Sequence, residues 1–167
     1  NAESIDADTV SLQKPGAAPV DEAPTAIALT NAVTSLAEDA DTTSSTKMGD
    51  IVITDADGGT NAISLSGADA ASYEVVDSEL QLKAGVALDY ETKTSYAVTL
   101  NTGNVSVDHT LAITDVDEPP TAIELTNAVT SLAEDADTSG ATKIGDIVIT
   151  DADGGTNAIS LSGADAA

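Results

Sequence analysis

The sequence predicts an all-β chain, an antiparallel Greek-key sandwich of about seven strands, carried as a tandem repeat. Three observations point there. The chain is self-similar at a fixed offset, its apolar residues fall in short runs between turn signals, and no stretch holds a helical period.

The self-similarity organises everything else. Residues 25–71 and residues 121–167 are 47-residue stretches offset by 96 that differ at five positions: Ala28/Glu124, Thr43/Ser139, Ser44/Gly140, Ser45/Ala141 and Met48/Ile144. Three of these fall in a polar Thr/Ser run, as a loop would allow. The Met48/Ile144 exchange keeps an apolar side chain, as a core position would. A 96-residue period suits an independent domain better than a solenoid repeat. The expected organisation is a linker or the tail of a preceding module over 1–24, a complete repeat over 25–120, and the first half of a second repeat over 121–167. Val20-Asp-Glu-Ala-Pro24 matches Val116-Asp-Glu-Pro-Pro120 at the same offset and so marks the linker, which its proline stiffens.

Inside the repeat, strands are expected over 26–30, 33–36, 50–54, 62–66, 73–76, 80–83, 95–101 and 105–114. The last two alternate most clearly: Tyr96, Val98, Leu100, then Val105, Val107, His109, Leu111 and Ile113. Gly58-Gly59, Gly67, Gly85 and Asn101-Thr-Gly103 punctuate them. The half repeat should leave its inner face and edges uncovered, and so be frayed, domain-swapped or completed by another chain.

Composition narrows the function. The chain has 29 Asp and Glu against five Lys and Arg, a formal charge of −24. Such a surface repels nucleic acid and anionic membrane, and no apolar run approaches the length of a membrane helix. There is no Cys to form a disulfide or a thiolate metal site. With three Tyr and no Phe or Trp, the core is expected to be Val, Ile, Leu and Ala.

Acidic residues recur as i, i+2 pairs: Asp55/Asp57, Asp89/Glu91, Asp115/Asp117 and Asp151/Asp153. On an extended backbone both side chains of a pair point the same way. Carboxylates held so close repel unless a positive charge stands between them. The few lysines supply little of it; a hard divalent cation with oxygen ligands would, and calcium tolerates irregular sets of such ligands.

The order Glu38, Asp55-Ala-Asp57, Asn61, Leu88-Asp-Tyr-Glu91, Asp115-Val-Asp-Glu118 resembles the cadherin repeat: its early Glu, its DxDxGxN turn, its LDRE motif and its acidic linker. The likeness spans the first repeat and the present half of the second. It implies a cadherin/Ig-like sandwich with Ca²⁺ held between successive domains. Glu38, Asp89, Glu91, Asp115, Asp117 and Glu118 would then act with Asp151, Asp153 and Asn157 of the next repeat. Asp21, Glu22, Asp55, Asp57 and Asn61 would serve the preceding junction. Tyr90 stands where the motif has Arg, and the linker has Pro119 where the family has Asn. The near-identical copies, with neither Cys nor Arg, resemble the extender repeats of a large bacterial surface adhesin, which implies an extracellular location, cell-surface or secreted.

Other readings of the same residues are weaker. Asp55–Ser66 is not an EF-hand loop, because its twelfth residue is Ser66 and its flanks are strands. His109 sits on an apolar strand face with Asp108 turned the other way and no nucleophile elbow nearby, so a Ser–His–Asp site is not expected. No aromatic platform accompanies the carboxylates as in a glycosidase, and the chain is read as not an enzyme. Asn104-Val-Ser106 spells a glycosylation sequon, without meaning in a bacterial protein. The expected role is a calcium-stiffened spacer whose partners are its neighbouring repeats, with homophilic or surface-glycan contacts beside them. Two alternatives stay open: a carbohydrate- or protein-binding module, and acidity that only solvates the surface in brine.

Overall fold

A computed structural model describes residues 21–165. The expected tail over 1–24 lies outside them up to residue 20. Two four-stranded sheets form a sandwich, built from β1 (Ala26–Thr30), β2 (Ser35–Ala37), β3 (Thr46–Thr54), β4 (Ser64–Ser66), β5 (Tyr73–Val76), β6 (Glu79–Leu82), β7 (Ser95–Thr102) and β8 (Val105–Thr114). One sheet has the order β1-β3-β6-β5 and the other β2-β8-β7-β4. A separate antiparallel pair follows, β9 (Ala122–Thr126) with β10 (Asp146–Thr150). The one helical turn among the described residues is the 3₁₀ segment Ala70–Ser72.

The sandwich is antiparallel except at β2, which runs parallel to β8 with Ala37 opposite Thr114. The expected strand at 33–36 is shifted to Ser35–Ala37 because it pairs only where β8 runs alongside. The expected strand at 50–54 extends back to Thr46, because residues 46–49 find partners on β6 that β1 does not supply.

Alternation decides the core. On β7, Tyr96, Val98, Leu100 and Thr102 point inward, and on β8 His109, Leu111 and Ile113 do. They meet Ile27, Met48, Ile51, Tyr73, Leu80 and Leu82 from the other sheet. The core is mostly the Val, Ile and Leu expected from composition, but not wholly. Met48 is fully buried, and two of the three tyrosines lie inside, with no alanine among the core residues. A tyrosine can be buried because its hydroxyl is satisfied: Tyr73 donates to Tyr96 O at 3.2 Å, and Tyr96 to Ala87 O at 3.0 Å. His109 packs edge-on against Tyr73, with ring centroids 6.2 Å apart, which bears out its reading as a packed histidine.

Two hairpins show how turns fix register. β7 and β8 join through Gly103-Asn104, where Gly103 takes the positive φ that the first position of a tight hairpin turn requires. β5 and β6 join through Asp77-Ser78, both at positive φ without either being glycine.

Candidate cation-binding site

The parallel pairing of β2 with β8 builds the site. Because both strands end side by side, the residues after them, Glu38 and Asp115, emerge together. The Glu38 N–H donates to Thr114 O at 3.1 Å, which continues the ladder one step. The Glu38 carboxylate then accepts from two backbone N–H groups, Tyr90 at 2.7 Å and Val116 at 2.8 Å. One side chain so ties the Leu88–Glu91 segment to the linker. Glu91 is carried in as a consequence, and oxygens of Glu38, Glu91 and Asp115 lie within 4.8 Å of one another.

The second half of the site comes from beyond the linker. In the loop after β10, Asp151 accepts from Asn157 Nδ2 at 2.7 Å and from the Asp153 N–H at 3.2 Å. This folds the Asp-x-Asp segment into a compact Asx-type turn. Asp153 in turn accepts from the Glu118 N–H at 2.5 Å, fastening the turn to the linker. Oxygens of Glu91, Glu118 and Asp153 also lie within 4.8 Å of one another, so Glu91 belongs to both groups. A concavity of about 470 Å³ opens here, lined by Glu38, Asp89, Glu91, Glu118 and Ala152 among others. Asp117 stands beside Gly155, where an added Cβ would come within 3.4 Å of its carboxylate oxygen.

The electrostatics of this cluster are those of crowded like charges. Desolvation, then the charges of Asp153, Glu38 and Asp117, push Asp115 above its ordinary range. Glu118 is raised by desolvation and by Glu38, Asp153, Glu91 and Asp115. Glu91 has a hydrogen bond from its own backbone that pulls the other way, yet desolvation and the charges of Glu38, Asp153 and Asp115 raise it. Among the described residues, the lysine ion pairs lie elsewhere: Lys47 with Asp50 and Glu79, Lys93 with Asp69, and Lys143 with Asp146. One oxygen of Asp153 is buried without any hydrogen-bond partner.

The other expected set has half of this construction. Asn61 donates to Asp55 at 2.8 Å, and Glu22 N–H donates to Asp57 at 2.7 Å, which reproduces the bonds of Asn157 and Glu118 at the 96-residue offset. Asp21 packs against Gly59 as Asp117 does against Gly155. Here Asp55 is lowered, chiefly by the Asn61 hydrogen bond, where Asp115 is raised. No counterparts of Glu38, Glu91 and Asp115 face Asp57 among the described residues. The structure therefore brings together Glu38, Glu91, Asp115, Glu118 and Asp153, with Asp89, Asp117, Asp151 and Asn157 around them. Asp21, Glu22, Asp55, Asp57 and Asn61 form a separate group.

Sequence reasoning missed two features. Glu38 is a backbone clasp as well as an acid, which only the parallel pairing makes possible. Lys93 lies over the Tyr96 ring at 4.7 Å while pairing with Asp69, and so holds the segment that follows Glu91. Its place beside the Leu88–Glu91 motif was the available signal.

No family model and no curated protein matches the sequence. Solved structures do. Protocadherin gamma B2 extracellular cadherin domains 1–5 superpose with a TM-score of 0.54 at 20% identity, over 78% of this chain and 26% of that one. The fold is cadherin-like. A protocadherin gamma B7 EC3–6 cis-dimer structure agrees, with a TM-score of 0.51 at 22% identity over 86% of this chain and 36% of that one. The chain spans well under half of either protein. Identities this low carry the likeness of fold alone, and the cadherin-like domain here keeps its acids at the end of the sandwich where β2 and β8 finish.

Proposed function

We propose that this chain is a calcium-binding adhesion-type module, and that Ca²⁺ held at the linker stiffens one repeat against the next. The observation that carries this is the Glu38, Glu91, Asp115, Glu118 and Asp153 cluster, in which carboxylates from both sides of the linker converge and no lysine joins them among the described residues. A hard, oxygen-seeking cation fits the donor set. It would relieve the mutual repulsion and give the orphaned, buried Asp153 oxygen a partner. Glu38, Asp89, Glu91, Asp115, Asp117 and Glu118 would hold it from one side, and Asp151, Asp153 and Asn157 from the other. The Asp21, Glu22, Asp55, Asp57 and Asn61 group would do the same with residues of a preceding repeat.

Bound cations would supply positive charge that fixes the linker, and a stiff series of such domains would act as a spacer at a cell surface or in a secreted adhesin. The near-identity of the two copies supports a spacer, since a recognition face would tend to differ between copies. No helix among the described residues is long and apolar enough to cross a membrane.

Calorimetric titration of the chain with CaCl₂ tests the reading. Binding in the micromolar to millimolar range, with a raised thermal midpoint, is expected, and at about 100 times Kd the added stability would be about 2.7 kcal/mol. Heat changes no larger than dilution at millimolar Ca²⁺ would leave only surface solvation for these acids.

A further inference from the structure

The acids of the cation site do not all follow directly from strands. Asp89 and Glu91 lie between β6, which ends at Leu82, and β7, which starts at Ser95. No strand pairing fixes this segment, so its place depends on the side chains and single hydrogen bonds that hold it. Glu38 holds its middle, through the Tyr90 N–H at 2.7 Å. A single residue, Tyr96, holds both ends of the turn that carries the two acids.

The Tyr96 ring is buried in the sandwich, and its hydroxyl donates to Ala87 O at 3.0 Å, two residues before Asp89. The Lys93 ammonium, two residues after Glu91, stands 4.7 Å from the centre of the same ring. Between these ends the chain closes on itself. Lys93 N–H donates to Asp89 O at 2.8 Å, and Thr92 N–H to the Asp89 carboxylate at 2.8 Å. Asp69 completes the latch: one of its oxygens pairs with Lys93, and the other accepts the Ala97 N–H at 2.8 Å, next to Tyr96.

The latch opposes a definite force. Oxygens of Glu91 lie within 4.8 Å of those of Glu38 and Asp115 in one group, and of Glu118 and Asp153 in the other. Without a cation, those like charges push the turn outward. Because Glu91 belongs to both groups, an outward swing would break both at once.

We infer that Tyr96 is a positioning residue of the cation site: by gripping both ends of the Ala87–Lys93 turn it presets Asp89 and Glu91, and so sets the affinity for a divalent cation that it does not touch. The inference rests on the cation reading above. Affinity at an oxygen-ligand site follows rigidity as well as ligand charge, and a turn already in place need not be ordered on binding. Lys93 has two opposed effects. Its charge repels a nearby cation through space, whereas its grip on Tyr96 and Asp69 favours binding, so the two predict opposite outcomes when the charge is removed.

The test is calorimetric titration of the full chain with CaCl₂ for Tyr96→Phe, Tyr73→Phe and Lys93→Gln, with amide hydrogen exchange in EDTA beside it. Tyr73 is the matched control: its hydroxyl also donates to a carbonyl, Tyr96 O at 3.2 Å, but that acceptor lies on β7 and not in the turn. Tyr96→Phe should raise the Kd about threefold or more, and should speed exchange of the Tyr90 amide about fivefold in EDTA. Tyr73→Phe should leave both within about twofold. Lys93→Gln, at a side chain 39% exposed, should also raise the Kd, and it tests the same grip if Tyr96→Phe does not fold. No binding by the unsubstituted chain would overturn the cation reading and this inference with it. Binding that either variant leaves unchanged or tightens would overturn the positioning role alone. So would an equal loss in Tyr73→Phe, which would make the effect one of general stability.

Discussion

Glu38 and Val116 lie 78 positions apart in sequence, yet the Glu38 carboxylate accepts the Val116 N–H at 2.8 Å while its other oxygen accepts Tyr90 N–H at 2.7 Å. Two loops and the linker thus hang on one side chain. The group at the centre of the acidic cluster is also part of the scaffold, so its structural and cation-binding effects have to be separated by measurement.

Glu38→Ala should destabilise the sandwich even in EDTA, because two backbone donors lose a charged acceptor. The loss expected is about 1–3 kcal/mol in urea unfolding. An unchanged midpoint in EDTA would mean that water replaces the clasp at no cost.

Asp153→Asn keeps the size of the side chain and an acceptor for the Glu118 N–H. Stability in EDTA should therefore change by less than about 1 kcal/mol. Calcium affinity, read by calorimetry, should fall by roughly tenfold or more, since affinity follows the count of ligand charges. Equal affinity for the variant would remove Asp153 from the site.

His109 gives the fold a pH dependence apart from the acidic cluster. Burial lowers its pKa below the ordinary value. The unfolded chain then takes up the proton more readily, so the stability is intact above about pH 6.5 and is lost as pH falls below it. Subtracting the thermal midpoints of His109→Leu from those of the unsubstituted chain should give a difference that turns against the histidine as pH falls from 7 to 5. A difference constant over that range would show that the ring titrates as in water.

Ser78→Gly should stabilise. Asp77 and Ser78 occupy the two positive-φ positions of the β5–β6 turn, at 48° and 63°, and a side chain in that region is strained. A gain of about 1 kcal/mol is expected, or several degrees in thermal midpoint for a domain this size. A loss would mean that the serine hydroxyl contributes more than the backbone strain costs.

Thr102 is 2% exposed and its hydroxyl has no hydrogen-bond partner. Thr102→Val keeps the shape and removes the orphaned group, and should add about 1 kcal/mol in denaturant unfolding. A destabilised valine variant would reveal a partner for the hydroxyl, such as an ordered water.

The sequence by itself determined the 96-residue repeat, the alternating β7 and β8 and the residue types of the candidate site, because identity and period-two patterning are local properties. Met48, Tyr73 and Tyr96 entered the core because sheet packing brings acceptors within reach of the tyrosine hydroxyls and closes a pocket around the thioether, neither of which composition records. Only tertiary structure decided that β2 runs parallel to β8, and that pairing sets Glu38 beside Asp115 and draws Glu91 to both.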